Sequence, residues 1–348
     1  MANQDTPITP TMIHPNRVPA WIINLAIVIA LVALWPIGKA CDQYMDGYFL
    51  DLLVHIGLAI TLAVSLNLIN GITGQFSLGH AGFMAIGAYT CGVLLKHSAP
   101  HGAALPALFL GLILLGGLMA ALAGVIIGMP ALRLRGDYLA IATLGFGEII
   151  TVVLNQIDSI GGFEVGGSAG LHNIPVLSNF LFWSFGAAIL CIVVISRLVY
   201  SAKGKPFFAV REDEIAAGAM GVDTTFYKVA AFVIGAFFAG VAGAVSASFR
   251  GNLDPGGFNF VRSIEIVMMV VLGGSGSITG SILAAAVLTY LPEQLRFLDQ
   301  WHLRLVIYAL LLIVMMLVRP EGLLGNRELW RTKRRLLPDP LTLGAAQV

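Results

Sequence analysis

The segment GITGQFSLGHAG, residues 71–82, holds the side chains most suited to line the path of a polar ligand. It sets an amide, two hydroxyls and an imidazole among glycines, carries no formal charge and lies between two long apolar runs. Glycine-rich backbone cannot face lipid, because peptide groups freed from a helix find no partner in hydrocarbon. We therefore expect the segment to be buried in protein or to line a cavity at membrane depth, where broken helices mark a transport path.

A second uncharged segment, GGSGSITG at residues 273–280, also lies between apolar runs. Each segment begins a short helix of small residues that ends in a tyrosine, Tyr89 in one case and Tyr290 in the other. Two interrupted segments in corresponding halves of a chain indicate a transport pathway. Whether the pair reflects an internal structural repeat stays open at the level of the sequence.

Three acids, Asp51, Glu148 and Glu265, fall within the apolar runs. Because a charge in hydrocarbon is costly, each is expected to face the bundle, a partner subunit or water. Asp51 lies near the end of its run and can reach solvent. Glu148 and Glu265 either line the path and hold an ammonium group or pair with each other or with a base, and we favour pairing. His55 and His80 leave a proton relay as a third interpretation.

The composition indicates an all-α, polytopic transmembrane helix bundle. Of 348 residues, 57% are hydrophobic and 11% are charged, whereas soluble domains carry about 25% charged residues. Cys41, Cys91 and Cys191 lie far apart, without zinc or CxxC spacing, and are interpreted as apolar filling. The sequence shows no metal-ligand cluster, catalytic triad or carboxylate pair, so the pattern does not favour an enzyme.

The spans are predicted from apolar runs of about 20 residues, the length that crosses a bilayer. The ten runs cover residues 21–37, 48–70, 79–95, 104–128, 138–154, 179–200, 229–249, 262–273, 277–291 and 303–318. The third, eighth and ninth are short or interrupted by glycine, so we expect about eight to ten spans. The runs divide the chain into an N-terminal segment 1–20, a transmembrane domain 21–318 and a basic tail 319–348.

The distribution of Lys and Arg predicts that both termini lie in the cytoplasm. If the N-terminus lies in the cytoplasm and the number of spans is even, segments 1–20, 129–137, 197–228 and 319–348 are cytoplasmic. Most of the 20 basic residues fall in these segments. The other side keeps only Lys39, Lys96, Arg250, Arg262, Arg296 and Arg304. The loop 155–178 carries two acids and no base and is expected to be external.

Small residues recur at every fourth position in two of the runs. The two stripes are Ala120, Gly124 and Gly128, and Gly235, Ala239 and Gly243. Stripes of this kind let helix backbones approach closely, and we expect both to pack against other helices.

The loop 201–228 contains a stretch, residues 207–223, that is predicted to form one short helix. At 3.6 residues per turn one face would be apolar, with acids elsewhere. The apolar face comprises Phe208, Ile215, Ala219 and Val222. Such a face either docks in the groove of a partner or belongs to an ordinary solvated loop helix.

Four blocks together resemble bacterial branched-chain amino acid ABC permeases, and the M-type (LivM-like) subunit more closely than the H-type. The blocks are TGQFSLGHAGFMAIGAYT (73–90), LRLRGDYLAIATLGFGEI (132–149), AVREDEIAAGAMGVDTTFYKVAAFVIGAFFAGVAGA (209–244) and SIEIVMMVVLGGSGSITGSILAA (263–285). The resemblance covers about residues 48–325. It implies an importer of the bacterial inner membrane in which a periplasmic solute-binding protein delivers the amino acid. Two different permease subunits then form the path, and two cytoplasmic ATP-binding subunits drive it.

The resemblance also assigns residues. The family's glycine-rich break matches Gly74, Gln75, Ser77, Gly79, His80 and Gly82, and we add Glu148, Glu265, Gly273, Gly274, Ser277 and Gly280 as further residues of the translocation path. The family's ATPase-coupling loop corresponds to Arg211, Glu212, Asp213, Ala216, Ala217 and Gly221. Gly218 departs from the family pattern, where an acidic or larger residue is common, and favours a short or bent helix there.

The chain is not expected to hydrolyse ATP or to hold a cofactor. It lacks the GxxxxGK[ST] phosphate loop, since Gly204-Lys205 is followed by proline and Gly38-Lys39 by alanine. A permease for urea or short amides in the same class, and a secondary transporter driven by an ion gradient, remain alternatives. The basic tail is expected to lie against lipid headgroups rather than nucleic acid.

Overall fold

The protein is described by a computed structural model that covers residues 20–98, 105–134, 136–294, 310, 313, 317 and 322–325. Of the predicted segments, most of 1–20, 303–318 and 319–348 lies outside these residues. The helices of the described part are α1 Ala20–Tyr44, α2 Gly47–Asn67, α3 His80–Ser98, α4 Leu105–Ala131, α5 Asp137–Gln156, α6 Phe180–Tyr200, α7 Lys205–Glu212, α8 Glu214–Ala219, α9 Thr224–Arg250, α10 Phe260–Gly273 and α11 Ile278–Gln294. Strands β1 Ser159–Ile160 and β2 Phe163–Glu164 form a short antiparallel hairpin.

Six helical stretches of the described part are long and apolar enough to cross a membrane. They are Gly47–Ile72, Pro106–Ala131, Asp137–Gln156, Phe180–Tyr200, Thr224–Arg250 and Pro255–Gly273. The chain is therefore an all-α, multi-pass membrane bundle, and this prediction from the composition is confirmed. The backbone of each stretch satisfies its own hydrogen bonds, which is the condition for crossing hydrocarbon.

Helices α2 and α9 form the centre of the bundle. Leu62 and Leu66 on α2, and Phe232 and Ala239 on α9, are fully buried. Helix α5 is peripheral by comparison, and Ile141 on its outer side is well exposed. In a membrane such exposed apolar side chains meet lipid or a partner subunit rather than water.

The two stripes of small residues lie at helix contacts, as predicted. A Cβ added to Gly124 of α4 would lie 2.9 Å from the Cβ of Ala236 on α9. A Cβ added to Gly243 of α9 would collide with the backbone oxygen of Met84 on α3. Larger residues would push these helices apart and lose the dispersion contacts that hold membrane helices together.

The bundle has two ends. We call the end with residues 71–79 and 274–277, where two helices are interrupted, the break end. At this end the side-chain amide of Gln75 donates to the backbone oxygen of Lys228 at 3.3 Å. The opposite end, with residues 157–179 and 251–259, is the loop end. There Leu171 and Leu253 exchange backbone hydrogen bonds of 2.8 Å, and Lys96 pairs with Glu164 at 2.7 Å. The hydrogen bond from Lys96 lowers the pKa of the Glu164 carboxyl.

Candidate functional site

The first break comprises residues 68–79, between α2 and α3. It opens with a π turn, Leu68–Ile72, and the Thr73 hydroxyl then donates to the backbone oxygen of Leu68 at 2.7 Å. Gly74 follows with a φ of +74°, and a Cβ at this position would lie 3.1 Å from Cγ of Arg211. Because glycine alone adopts such a φ without strain, the turn that ends α2 depends on Gly74.

Buried polar atoms without hydrogen-bond partners concentrate around the first break. The described residues contain six such side-chain atoms, and four of them are Asn67 Nδ2, Gln75 Oε1, Ser77 Oγ and His80 Nδ1. All four side chains are buried. A buried polar atom without a hydrogen-bond partner lowers the free energy of unfolding by about 1–3 kcal/mol. Several such atoms in one place are therefore expected where water, a ligand or another conformation supplies the missing hydrogen bonds. This concentration makes the first break a polar cluster at the break end of the bundle.

His80 makes its one side-chain contact with Ser65. The Ser65 hydroxyl lies 3.0 Å from the backbone oxygen of Leu62 and 2.9 Å from the imidazole Nε2 of His80. In the tautomer with its proton on Nε2, His80 donates to Ser65 while Ser65 donates to Leu62. That tautomer leaves Nδ1 as a bare acceptor beside the first break.

The second break, residues 274–277, lies directly against the first. The backbone nitrogen of Gly276 donates to Oδ1 of Asn67 at 2.9 Å, and a Cβ on Gly71 would collide with the same nitrogen. Gly273 and Gly280 lie so close that a Cβ on Gly273 would come within 2.5 Å of the Gly280 carbonyl carbon. The structure thus brings together two segments that the sequence had shown only as similar.

Helix α5 packs tightly on the start of α3. Thr143 Oγ1 accepts from the backbone nitrogen of Leu78 at 3.0 Å, and a Cβ on Gly82 would lie 2.9 Å from Cα of Gly147. Glu148 comes next on α5 and is half-buried. Among the described residues none forms an ion pair with it.

Glu148 shares a helix face with Ile141, Gly145 and Val152, at spacings of three and four residues. Ile141 and Val152 are exposed, and a Cβ on Gly145 would meet nothing within 4 Å. The described part of the chain therefore leaves this face of α5 uncovered, with a carboxylate at its middle.

Glu265, the other predicted path acid, lies on α10 and forms an ion pair with Arg262 one turn earlier, at 2.8 Å. This agrees with the structural pairing favoured from the sequence, with a base as partner rather than Glu148. Asp51, the third acid, is exposed as expected and lies 3.5 Å from the imidazole of His55.

The coupling loop, residues 201–228, contains two helices where one was predicted over 207–223, so that prediction is wrong. Asp213 adopts an extended backbone and caps α8, with Oδ1 accepting from the nitrogens of Ile215 and Ala216 at 2.8 and 3.0 Å. The predicted apolar face is divided as a result. Ile215 is 73% exposed, while Phe208 on α7 is half-buried against the core.

Three contacts fasten α7 and α8 to the rest of the bundle. Arg211 Nη1 donates to the backbone oxygen of Gly71 at 2.8 Å. Lys228 Nζ pairs with Glu214 at 2.6 Å and ties α8 to α9. Phe207 of α7 is buried with its ring against Tyr227. The helices of this loop are therefore held by the first break and by the start of α9.

A polar pocket at the loop end was missed by the sequence reasoning. It has a volume of about 160 Å³ and combines the charged groups of Arg250, Asp254 and Arg262 with an apolar floor. The sequence offered one signal for this pocket, because Arg250, Asp254 and Arg262 lie close together where one apolar run ends and the next begins. The apolar floor and His172 come from other segments, and only the fold assembles them.

A multi-pass helical bundle with two packed glycine-rich breaks and a loop fastened to one of them defines a membrane permease. Residues 48–316 match the family described as "Branched-chain amino acid transport system / permease component". The chain belongs to this family of permease components.

Curated relatives agree with the family. The permease protein LivM of the high-affinity branched-chain amino acid transport system of Salmonella typhimurium is 36% identical over 327 residues, which cover 84% of this chain and 74% of the relative. LivM of Escherichia coli gives the same figures. LivH of Escherichia coli is 34% identical over 143 residues, 40% of this chain and 45% of the relative. No solved structure matches the chain.

Proposed function

We propose that the chain is one of two different permease subunits of an ATP-driven importer for branched-chain amino acids. Its partners are an H-type permease, two cytoplasmic ATP-binding subunits and a periplasmic solute-binding protein. The likeness to LivM over most of the chain, and to LivH over a shorter part, supports this assignment. ATP hydrolysis belongs to the separate ATPase subunits.

The contact between Arg211 and Gly71 carries the proposal. Gly71 lies in the π turn that ends α2, and Arg211 lies in the loop that the family resemblance assigns to the ATPase. A movement of α7 and α8 therefore reaches the first break through one direct hydrogen bond. Coupling between subunits needs such a packed element with two arrangements. The ion pair of Lys228 with Glu214 makes α8 move together with the start of α9.

The surface that docks the ATPase is formed by exposed apolar side chains around α8. Ile215, Met220 and Phe226 are each more than half exposed. Ala216, on the first turn of α8, is exposed beside them. Apolar side chains on a helix of this kind suit a hydrophobic groove on a partner, and the acids Glu212 and Asp213 add a polar rim.

The break end faces the cytoplasm in this proposal. Arg197 in the last turn of α6 and four bases of the coupling loop lie at or near this end, namely Lys203, Lys205, Arg211 and Lys228. Basic segments of this kind stay on the cytoplasmic side. The first and second breaks then form the cytoplasmic closure of the path, and both termini lie in the cytoplasm of a bacterial inner-membrane protein.

The path itself runs along the uncovered face of α5, between the two permeases. A carboxylate at mid-span does not face lipid, so Glu148 faces either the second permease or the water of the path. The buried polar atoms of Gln75, Ser77 and His80 lie one helix further in, where a conformational change would expose them to the path.

A charge placed on α8 tests the proposal. The variant Ala216→Glu adds a carboxylate at a helix N-terminus, which the helix tolerates, and should abolish co-purification of the ATPases. Ala202→Glu is the matched control, since Ala202 is exposed in the same loop but outside α8. The complex should survive in the control. Uptake that persists in Ala216→Glu without bound ATPase, or that follows an ion gradient rather than ATP, would contradict the proposal.

A further inference from the structure

The pocket at the loop end combines charges of both signs with an apolar floor. Its rim is formed by the side chains of Arg250, Asp254 and Arg262, and its floor by Met84, Leu253 and Phe258, which are all buried. A volume of about 160 Å³ is smaller than the roughly 300–1,000 Å³ of pockets for drug-sized ligands. The pocket therefore suits a small molecule with a charged head and a short apolar tail.

The charges of the rim are not all compensated by one another. Arg262 is paired with Glu265 at 2.8 Å. Arg250 contacts only the imidazole Nε2 of His55, at 3.4 Å, among the described polar side chains. Asp254 accepts one hydrogen bond, from the nitrogen of Gly256 to Oδ1 at 3.0 Å, and no described group donates to its Oδ2. The Asp51 carboxylate acts on Arg250 electrostatically without an ion-pair contact. Both Arg250 and Asp254 are exposed and line the pocket, so one cation and one carboxylate are accessible to a ligand.

The segment that carries Asp254, residues 251–259, joins the helices of Arg250 and Arg262 and is fastened by hydrogen bonds. Leu253 exchanges two backbone hydrogen bonds with Leu171. Thr151 of α5 donates to the backbone oxygen of Phe258 at 3.3 Å, and the nitrogen of Ile174 donates to the oxygen of Gly251 at 2.9 Å. A pocket whose walls are fixed before binding loses little conformational entropy when it takes a ligand.

We infer that this pocket is an outer binding site for a zwitterionic amino acid with an apolar side chain. The α-carboxylate lies at Arg250, the α-ammonium group at Asp254, and the side chain against Met84, Leu253 and Phe258. Removing both charges of a zwitterion from water is costly unless each meets a counter-charge. The inference rests on the proposed function, because the loop end is the side from which an importer receives its substrate.

The proposed site should bind leucine more strongly than analogues that lack one of its two charges. This difference can be measured on the purified transporter of two permeases and two ATPases, without the binding protein. Saturation-transfer difference NMR with L-leucine reports weak binding directly and does not depend on uptake. We expect a signal from the leucine methyl groups. The signal should be far weaker for 4-methylpentanoate, which lacks the ammonium group, and for 3-methylbutylamine, which lacks the carboxylate.

Two variants remove one charge each and leave the backbone in place. Asp254→Asn keeps an oxygen that can accept from Gly256, and Arg250→Gln keeps a donor near His55. Each should weaken leucine binding about ten-fold to a hundred-fold, the range for a hydrogen bond to a charged group. Glu164→Gln and Lys96→Gln are the matched controls, because they remove the same charges at the same end, outside the pocket. Both should bind leucine like the unaltered transporter.

The outcomes separate the inference from the proposed function. Unchanged leucine binding in Asp254→Asn and Arg250→Gln would overturn the inference even if ATP-driven uptake is normal. Binding of either analogue as strong as that of leucine would overturn it as well. Loss of binding-protein association in these variants with leucine binding intact would also overturn it, since the charges would then serve protein docking. Charge-dependent leucine binding in a transporter that shows no ATP-driven uptake would support the pocket and contradict the proposed function.

Discussion

Asn67 Oδ1 accepts a hydrogen bond from the backbone nitrogen of Gly276 at 2.9 Å, and this bond joins the two glycine-rich breaks. Asn67 ends α2, and Gly276 lies between α10 and α11. The side chain of Asn67 is fully buried, so no water replaces the bond. The two interrupted helices are thus one mechanical unit at the break end.

The variant Asn67→Ala should destabilise the protein, because it leaves the half-buried nitrogen of Gly276 without its acceptor. The expected loss is about 1 kcal/mol, the net contribution of one hydrogen bond. Thermal unfolding of the detergent-purified subunit measures it. Asn252→Ala serves as control, since Asn252 is exposed and should unfold like the unaltered protein. Equal stability of the two variants would show that the bond contributes nothing.

Gly74→Ala should impair uptake while the protein still inserts in the membrane. Its φ of +74° costs a side-chain-bearing residue about 1–2 kcal/mol, and the added methyl group would press on Arg211. Uptake in proteoliposomes, normalised to the inserted protein, is the measurement.

Gly111→Ala is the matched control for Gly74. Gly111 lies within α4, and a Cβ there meets nothing within 4 Å. The control should retain uptake and gain up to about 1 kcal/mol of helix stability. Similar uptake in both variants would argue against a special role for the turn at Gly74.

Glu148→Leu distinguishes lipid from a partner on the uncovered face of α5. If this face met lipid, removing the carboxylate would raise the stability of the protein. If the face meets the second permease or the water of the path, the same substitution should weaken assembly and uptake. We expect the second outcome, measured as co-purification of the two permeases. Val152→Leu, on the same face, controls for added bulk. Improved stability with intact co-purification in Glu148→Leu would place lipid on α5.

The sequence predicts the positions of the apolar helices well, because hydrophobic runs of bilayer length leave few alternatives. In the described residues six helical stretches are long and apolar enough to cross a membrane, fewer than the eight to ten expected. It also predicts the packing role of Gly124 and Gly243, because small residues at four-residue spacing have one main use in membrane helices. The single helix over 207–223 was wrong for a local reason. Asp213 satisfies two backbone nitrogens of the next helix with its side chain, and this competes with continuing the helix.

Long-range pairs could not be predicted. The bond between Asn67 and Gly276 joins positions far apart in the chain, and no local pattern encodes it. The loop-end pocket was missed for the same reason, since Met84 and Arg250 belong to different helices that only the folded bundle brings together. The roles of the glycine-rich breaks in transport stay predictions that need measurement.

The hydrogen bond from Arg211 to the oxygen of Gly71 offers the most direct test of coupling between the ATPases and the first break. The measurement is the number of amino acids imported per ATP hydrolysed by the complete transporter in proteoliposomes, for Arg211→Ala and for the unaltered protein. We expect ATP hydrolysis within about two-fold of normal, and import reduced about ten-fold or more, since a hydrogen bond from a charged group is lost. An unchanged ratio of import to hydrolysis would show that movement reaches the path by another route.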